Sequence, residues 1–369
     1  MHCLNPVITG PWCTHWNRLW HSLVATQALN TLMNNPAITN GSAEEMLNVK
    51  VSTDVIADLH EFFTVRYSIK PAENIIHQLP TIAIPSLQQE QMFESWKGLV
   101  NHSERTDDWQ IYLNEQYLMA RVPDAITAYA PIDQASEQAY QAIFEIMQAH
   151  EYPYLIRTWN YFPEITQDIY PNSNNYQLFC SGRTRAYQNN AVNDQSYPAA
   201  TVIGSQLPEM QIFFIAARKP GIGIENTLQV SAFEYPPIYS KDPPLFSRAL
   251  LHRNNQQEIL FVSGTASITG HNTQFEGDIN RQTELCLSNI EQLVSTAVSE
   301  HQMTSISLQD FSQFKVYIKN PEHLDTVRTH IQLRLGHSAA VYYLQGDMCR
   351  TDLSVEIEAL AIIPITRLV

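Results

Sequence analysis

Charge is scarce in this chain and unevenly signed. Only 16% of its 369 residues are Asp, Glu, Lys or Arg, with 37 acids against 22 bases and a formal net charge of −15. A field of that sign repels nucleic acid and anionic membranes at long range, so neither is an expected partner. It also disfavours small anions, and an anionic substrate therefore needs a few arginines placed locally in a cleft. Long apolar runs are missing too. No stretch reaches the roughly 18 uninterrupted apolar residues of a bilayer crossing, and the opening MHCLNPVITGPWCTHWNRLWHSL has no continuous apolar block of a secretion signal. The expected location is cytoplasmic. Five cysteines (Cys3, Cys13, Cys180, Cys286, Cys349) without CxxC spacing fit free thiols in a reducing compartment, not a disulfide framework or a zinc site.

The short signatures of several common chemistries are absent as well. There is no GxxxxGK[ST] phosphate loop, and GIGIEN (221–226) lacks the last glycine and the following helix of a dinucleotide fingerprint. GxSxG does not occur, which disfavours a nucleophile-elbow hydrolase. Thirteen histidines show no HExxH, and Cys13 with His15 is too little to hold a metal. His271 beside Glu276 and Asp278 imitates a ligand cluster, but a cap on the turn into the next helix accounts for it equally.

What is present is a well-patterned globular chain. At 369 residues, 44% of them hydrophobic, it exceeds the size at which one core usually divides. EILFVSGTASI (258–268) reads as two short strands broken at Gly264. A helix follows, with Asp278 as N-cap and Ile279, Cys286, Ile290, Leu293 and Ala297 on one face. FKVYIKN (314–320) reads as a strand, and Asn320 and Pro321 open a helix that Gly336 stops near Leu335. AVYYLQ (340–345) and LSVEIEALAII (353–363) read as closing strands. That order, ββαβαββ, implies an α+β fold with helices packed on one face of an antiparallel-rich sheet.

A similar order is read upstream: a hairpin in WQIYLNEQYLMARV (109–122), a helix over 135–150, a strand in LIRTWNYF (155–162), a helix over 174–187, and strands near 200–204, 210–217 and 226–235. EYPPIYSKDPPLF (234–246), with four prolines, forbids regular structure and marks the boundary. The expected division is an N-terminal extension, 1–104, with helices over Trp16 to Met33 and Ser52 to Phe63, then related domains over 105–244 and 245–369.

The final strand carries the clearest chemical suggestion. Alternation puts Ser354, Glu356, Glu358 and Leu360 on one face and Val355, Ile357 and Ala359 on the other. Two carboxylates roughly 7 Å apart raise each other's pKa, and burial adds to it, so one can stay protonated near neutral pH. A merely solvated polar face fits the same pattern. SGTASITGH (263–271) is rich in small residues, which suits either a tight connection or close backbone approach to a ligand. Arg157, Arg183, Arg185, Arg248 and Arg350 sit in apolar, aromatic-rich stretches. Each is a candidate carboxylate clamp or the partner of a neighbouring acid. Tyr161 and Tyr187 either flank the same cleft or belong to the core.

VSGTASITGHNTQFEGDINRQTELCLSNIEQLV (262–294) together with VEIEALAIIP (355–364) resembles the RidA (YjgF) fold family. RTWNYFPEI, YQLFCSGRTRAY, PAATVIGS, ENTLQVSAFEYPPIY and PLFSRALL are similar to the longer chorismatase family. The resemblance implies two RidA/YjgF-like (chorismate-mutase-like) halves. It further implies an enzyme that releases pyruvate from chorismate without metal or organic cofactor. Glu356 stands at the family's catalytic acid, and Cys349 at the cysteine of members that aromatise the ring to 3-hydroxybenzoate, sometimes with 4-hydroxybenzoate. Arg157, Arg183 and Arg248 are the expected carboxylate ligands, with Tyr161 and Tyr187 beside them and Gly264, Ala266 and Cys349 shaping the pocket. The competing expectations are hydrolysis to a dihydroxycyclohexadiene carboxylate, a RidA-type imine or enamine hydrolase, and a ligand-binding module without activity. RidA-like domains often form trimers, but two related halves can satisfy that packing internally, so monomer and homotrimer are both expected states.

Overall fold

The computed structural model describes residues 47–54, 63–69, 81–82, 84–97, 102–105, 109–128, 130–171, 173–194, 196–206, 208–336 and 340–365. Contacts divide the chain after Glu44, and the architecture below is that of the unit Glu45–Val369. Strands Asn48–Ser52 (β1), Phe63–Tyr67 (β2), Thr81–Ile82 (β3) and Met92–Lys97 (β4) form a first sheet in the order β1-β4-β2-β3.

Next come His102–Arg105 (β5), Gln110–Leu113 (β6), Tyr117–Arg121 (β7), helix Ile132–Ala149 (α1) and Tyr154–Pro163 (β8). The hairpin Asp168–Tyr170 (β9) and Ser173–Asn174 (β10), helix Asn175–Asn189 (α2), Ala199–Ser205 (β11) and Gln211–Ala217 (β12) follow. The long strands make a six-stranded sheet ordered β11-β8-β12-β7-β6-β5.

The last run is Ile222–Ile224 (β13), Ala249–Arg253 (β14), Gln257–Ala266 (β15), the pair Ile268–Thr269 (β16) and Asn272–Thr273 (β17), helix Ile279–His301 (α3), Gln313–Ile318 (β18), helix Leu324–Leu335 (α4), Ala340–Gln345 (β19) and Val355–Pro364 (β20). Its sheet is ordered β13-β14-β15-β20-β18-β19.

The two large sheets repeat one topology. In each, a hairpin (β6-β7, β14-β15) leads through a helix to a strand (β8, β18), through a second helix to its parallel neighbour (β11, β19), and back to a closing strand (β12, β20). That closing strand lies antiparallel between the hairpin and the helix-linked pair. This is the α+β, two-half ββαβαββ arrangement expected. Sheet membership nevertheless runs across the expected boundaries, since β5 reaches Arg105 and β13 lies before residue 245.

Each sheet gives one face to its own helices and the other to a common interior. Phe213, Ile215 and Ala217 of β12 face the common core, while Ile212, Phe214 and Ala216 lie under α1 and α2. Burial on both faces explains why QIFFIAA is apolar throughout. On β20, Val355, Ile357, Ala359 and Ala361 pack under α3 and α4, leaving Glu356, Glu358 and Leu360 on the face toward the other half. The first sheet adds Phe63, Val65, Tyr67 and Trp96 to the common core.

The helices begin where their caps dictate. Asn174 Oδ1 accepts the Gln177 amide at 3.0 Å while Gln177 Oε1 accepts the Asn174 amide at 2.8 Å, satisfying two otherwise orphaned donors of α2. Asp278 accepts the Arg281 amide at 3.1 Å and starts α3. Pro321 opens the turn into α4, and Gly336, at φ +68°, ends it.

Four expectations change. The strand expected over 226–235 is replaced by β13 and a 3₁₀ turn at Ala232–Glu234, because Asn226 Oδ1 accepts the Leu228 amide at 2.8 Å and turns the chain. Gly264 does not break its strand: β15 continues through a bulge between Val262 and Thr265 against β20. Ser52 and Phe63 end and begin strands instead of bounding a helix; the stretch between them, and Trp16 to Met33, lie outside the described residues. His271 does not cap α3. Its Nδ1 lies 3.0 Å from the Tyr239 hydroxyl, and its carbonyl accepts from Arg350.

Candidate active site

The two large sheets meet along β11 and β15. The Ala200 amide donates to Ser263 Oγ at 2.9 Å, and that hydroxyl donates to the Ser247 carbonyl at 2.6 Å. Beside this seam lies a cavity of about 450 Å³. Its floor is Glu356 with Gly264 and Ala266, and one wall is Ala200 and Val202 of β11. Cys349 to Asp352 form the turn before β20, and Tyr176 and Gln177 come from the first turn of α2. Tyr235, Ile238, Tyr239, Pro244 and Phe246 of the proline-bearing connector close the remaining side. Such a cavity holds a small ring compound with its substituents.

Glu356 is 5% exposed, and no hydrogen bond or ion pair reaches its carboxyl from another described residue. Burial, then the charge of Glu358, pushes it up to about 8, against the weaker opposite pull of Arg157 and Arg248. A carboxylic acid in this setting keeps its hydrogen at neutral pH and can deliver it. Gly264 makes the position possible: a Cβ there would stand 1.9 Å from Glu356 Oε1.

Glu358 has the opposite fate two residues on. Its Oε1 accepts from Lys315 Nζ at 2.7 Å and from Trp159 Nε1 at 2.9 Å, and its Oε2 accepts from Arg157 Nη2 at 2.9 Å. Burial works to raise it, but Lys315 and Arg157 outweigh that and leave it lowered. The two like residues of one strand face are therefore split into an acid and a permanent anion, a separation made by partners and not by sequence spacing.

Two cations line the cavity. Arg248 Nη2 donates to the Val230 carbonyl at 3.0 Å and the Tyr235 hydroxyl at 2.7 Å, while its Nε has no hydrogen-bond partner among the described residues. Arg350 Nη1 donates to the His271 carbonyl at 2.9 Å and Thr273 Oγ1 at 3.2 Å. Its guanidinium lies 4.1 Å from the Tyr239 ring and 5.4 Å from the Tyr235 ring, whose face also meets Arg248 at 5.3 Å. The Cys349 thiol is pushed up to about 12 by burial and by Glu356, so it presents S–H, not thiolate.

Of the residues expected from sequence, Glu356, Arg248, Gly264, Ala266 and Cys349 come together on this cavity. Arg157 does not line it, being committed to Glu358 and, at 2.6 Å, to Thr201 Oγ1. Tyr161 is buried with its hydroxyl 2.8 Å from that of Tyr317. Tyr187 packs with Tyr140 and Phe144 under the first large sheet. Arg183 is wholly buried over the Phe179 ring at 4.9 Å and beside the Cys180 thiol, and it does not line the cavity. Arg350, which the sequence offers only as one of five arginines, lines the cavity that Arg157 does not reach. Tyr235 and Tyr239, which lie in the stretch ENTLQVSAFEYPPIY that resembles the chorismatase family but are not among the expected site residues, meet both cavity arginines.

Residues 94–216 match the family model described as chorismatase FkbO/Hyg5-like, N-terminal. A chorismatase of Streptomyces rapamycinicus is 36% identical over 250 residues, which cover 65% of this chain and 75% of that protein. A 3-hydroxybenzoate synthase of Streptomyces hygroscopicus is 34% identical over 232 residues, covering 61% of this chain and 68% of that one. A crystal structure of a chorismatase at 1.08 Å resolution superposes with a TM-score of 0.78 and 27% identity, over 87% of this chain and 100% of that one.

Proposed function

The chain belongs to the chorismatase family, and on that premise we propose that it cleaves the enolpyruvyl ether of chorismate, with Glu356 delivering the proton that starts the reaction. The observation that carries this reading is a buried carboxyl, held neutral by its surroundings, on the floor of a cavity that two arginines line.

Chorismate carries two carboxylates, and an enol ether breaks once a proton reaches its methylene carbon. Arg248 and Arg350 supply the local positive charge that an acidic protein must have to capture such a dianion. Their tyrosine supports limit rotamer freedom, so less entropy is lost on binding. Proton transfer from Glu356 leaves an oxocarbenium ion next to the new carboxylate, and the two charges stabilise each other. A glycosidase acid works beside a comparable cation.

The cation is then attacked by water or by the neighbouring ring hydroxyl. Attack by the ring hydroxyl needs no external water, since pyruvate and hydroxybenzoate together contain the atoms of chorismate. Hydrolysis instead adds one water and leaves a diene diol. We favour 3-hydroxybenzoate as the ring product, with or without 4-hydroxybenzoate beside it. A protonated Cys349 on the cavity wall and the relative named 3-hydroxybenzoate synthase support that choice. Among the described residues no helix is long and apolar enough to cross a membrane.

Chromatography of the products from purified protein and chorismate tests the reading. Pyruvate with hydroxybenzoate is expected. Pyruvate with a diene diol overturns the choice of ring product, and intact chorismate overturns the function.

A further inference from the structure

A chain of buried charges runs from the first sheet toward the cavity without entering it. Glu94 of β4, Lys315 of β18, Glu358 of β20 and Arg157 of β8 have side chains at most 5% exposed. Lys315 Nζ lies 2.8 Å from Glu94 Oε2 and 2.7 Å from Glu358 Oε1, and Arg157 closes the far end on Glu358 Oε2. Tyr67 donates to Glu94 at 2.7 Å and accepts from Lys315 at 2.9 Å, and Gln313 donates to Glu94 at 3.1 Å. Well-packed apolar residues commonly stabilise a core as well as such a chain does. Four charges sunk between three sheets therefore call for a role beyond cohesion.

The arrangement supplies one. Two acids and two bases cancel, so the chain is neutral as a unit, and ionised Glu356 would be a fifth buried charge without a partner of its own. Both oxygens of Glu358 are already taken by donors that carry or share positive charge. It cannot accept a hydrogen bond from Glu356 on easy terms or share its proton. The charged or titratable groups around Glu356 are Glu358 on its own strand, Tyr317 opposite it on β18, Arg157 from β8, Arg248 before β14, Cys349 from the preceding turn and Cys286 from α3. Glu358 is the fixed anion among them.

We propose that Glu358 is a positioning residue for the reaction: pinned as a carboxylate by Lys315 and Arg157, it keeps the hydrogen on Glu356, and Glu94, through Lys315, makes the first sheet part of that device. The inference rests on Glu356 as the proton donor and gives the N-terminal strands a chemical task.

The test is the pH dependence of kcat/KM for pyruvate release by full-length protein. Glu358→Gln moves the alkaline limb toward lower pH by about one unit or more, while activity below the new limb is largely kept. The double variant Glu94→Gln/Lys315→Met takes from Glu358 its principal cation and that cation's support in the first sheet, so Glu358 no longer stays fixed as an anion and the limb again moves toward lower pH. A limb unmoved in Glu358→Gln, or left at the wild-type position in the double variant, overturns the proposal. Should Glu358→Gln not fold, backbone-assigned carbon-13 resonances of the glutamate carboxyls in the wild type decide. Glu358 is expected to stay ionised from about pH 5 to about pH 9, and protonation within that window refutes its role. Absence of pyruvate release from the wild type counts against the functional reading; an immobile limb in an active enzyme counts only against this inference.

Discussion

Raising the pH from about 7 to about 9 should lower kcat/KM for chorismate about tenfold, because the donor must start with its proton. Glu356, pushed up to about 8 by burial and by Glu358, is mostly protonated at the lower pH and mostly ionised at the higher one. Above about pH 8 the rate should fall tenfold per unit, as a single ionisation requires. Neither the Cys349 thiol, at about 12, nor the Tyr176 hydroxyl, raised well above its ordinary value by burial, adds a second limb in this range. Stability follows from the same shift with a definite sign. The folded state keeps a proton that the unfolded chain has released between pH 4.5 and about 8, so stability declines as pH rises through that window and levels off above it. The full loss is on the order of 4 to 5 kcal/mol at most. Initial rates of pyruvate release across pH, paired with denaturant titrations near pH 5 and pH 8, measure both. A rate that stays flat past pH 9, or a limb already complete below pH 6, refutes the reasoning.

Three further outcomes follow from the geometry. Arg248→Met or Arg350→Met removes one charge-assisted ligand for a substrate carboxylate, so KM should rise about tenfold or more with a smaller change in kcat. Steady-state kinetics separates the two parameters. Arg248→Met also removes a cation that pulls Glu356 down, so its alkaline limb should lie at higher pH than the wild type's. Gly182→Ala places a Cβ 2.0 Å from the Asp133 carbonyl oxygen and 1.9 Å from Ser136 Oγ, which forces α1 and α2 apart. Denaturant unfolding should show a loss of about 1 to 3 kcal/mol, and wild-type stability would contradict the close helix contact.

The parts of this molecule that sequence reveals are those set by local rules. Period-two alternation in VEIEALAII is enough to pair Glu356 with Glu358 on one face, and Asn174, Asp278, Pro321 and Gly336 mark helix ends by chemistry confined to a few neighbours. Partner choice is not local. Arg157 and Glu358 lie 201 residues apart, and Tyr161 and Tyr317 lie 156 apart. Nothing in LIRTWNYF says that its arginine turns toward an acid on β20 while Arg350, in a turn, faces the cavity. Lys315 reads as one more residue of a strand, because alternation names a face but not what lies across it. Gly264, as a small residue in a strand, marks either a break or a close approach, and only the Glu356 carboxyl beside it decides.

The measurement that bears most directly on the central claim is turnover by Glu356→Gln. The variant should fold and, having lost the raised acid, be a few kcal/mol more stable than the wild type near pH 8. Its pyruvate release from chorismate should fall by at least about a hundredfold below about pH 8, where the wild-type donor holds its proton. A folded Glu356→Gln protein that still releases pyruvate at close to the wild-type rate would contradict the account.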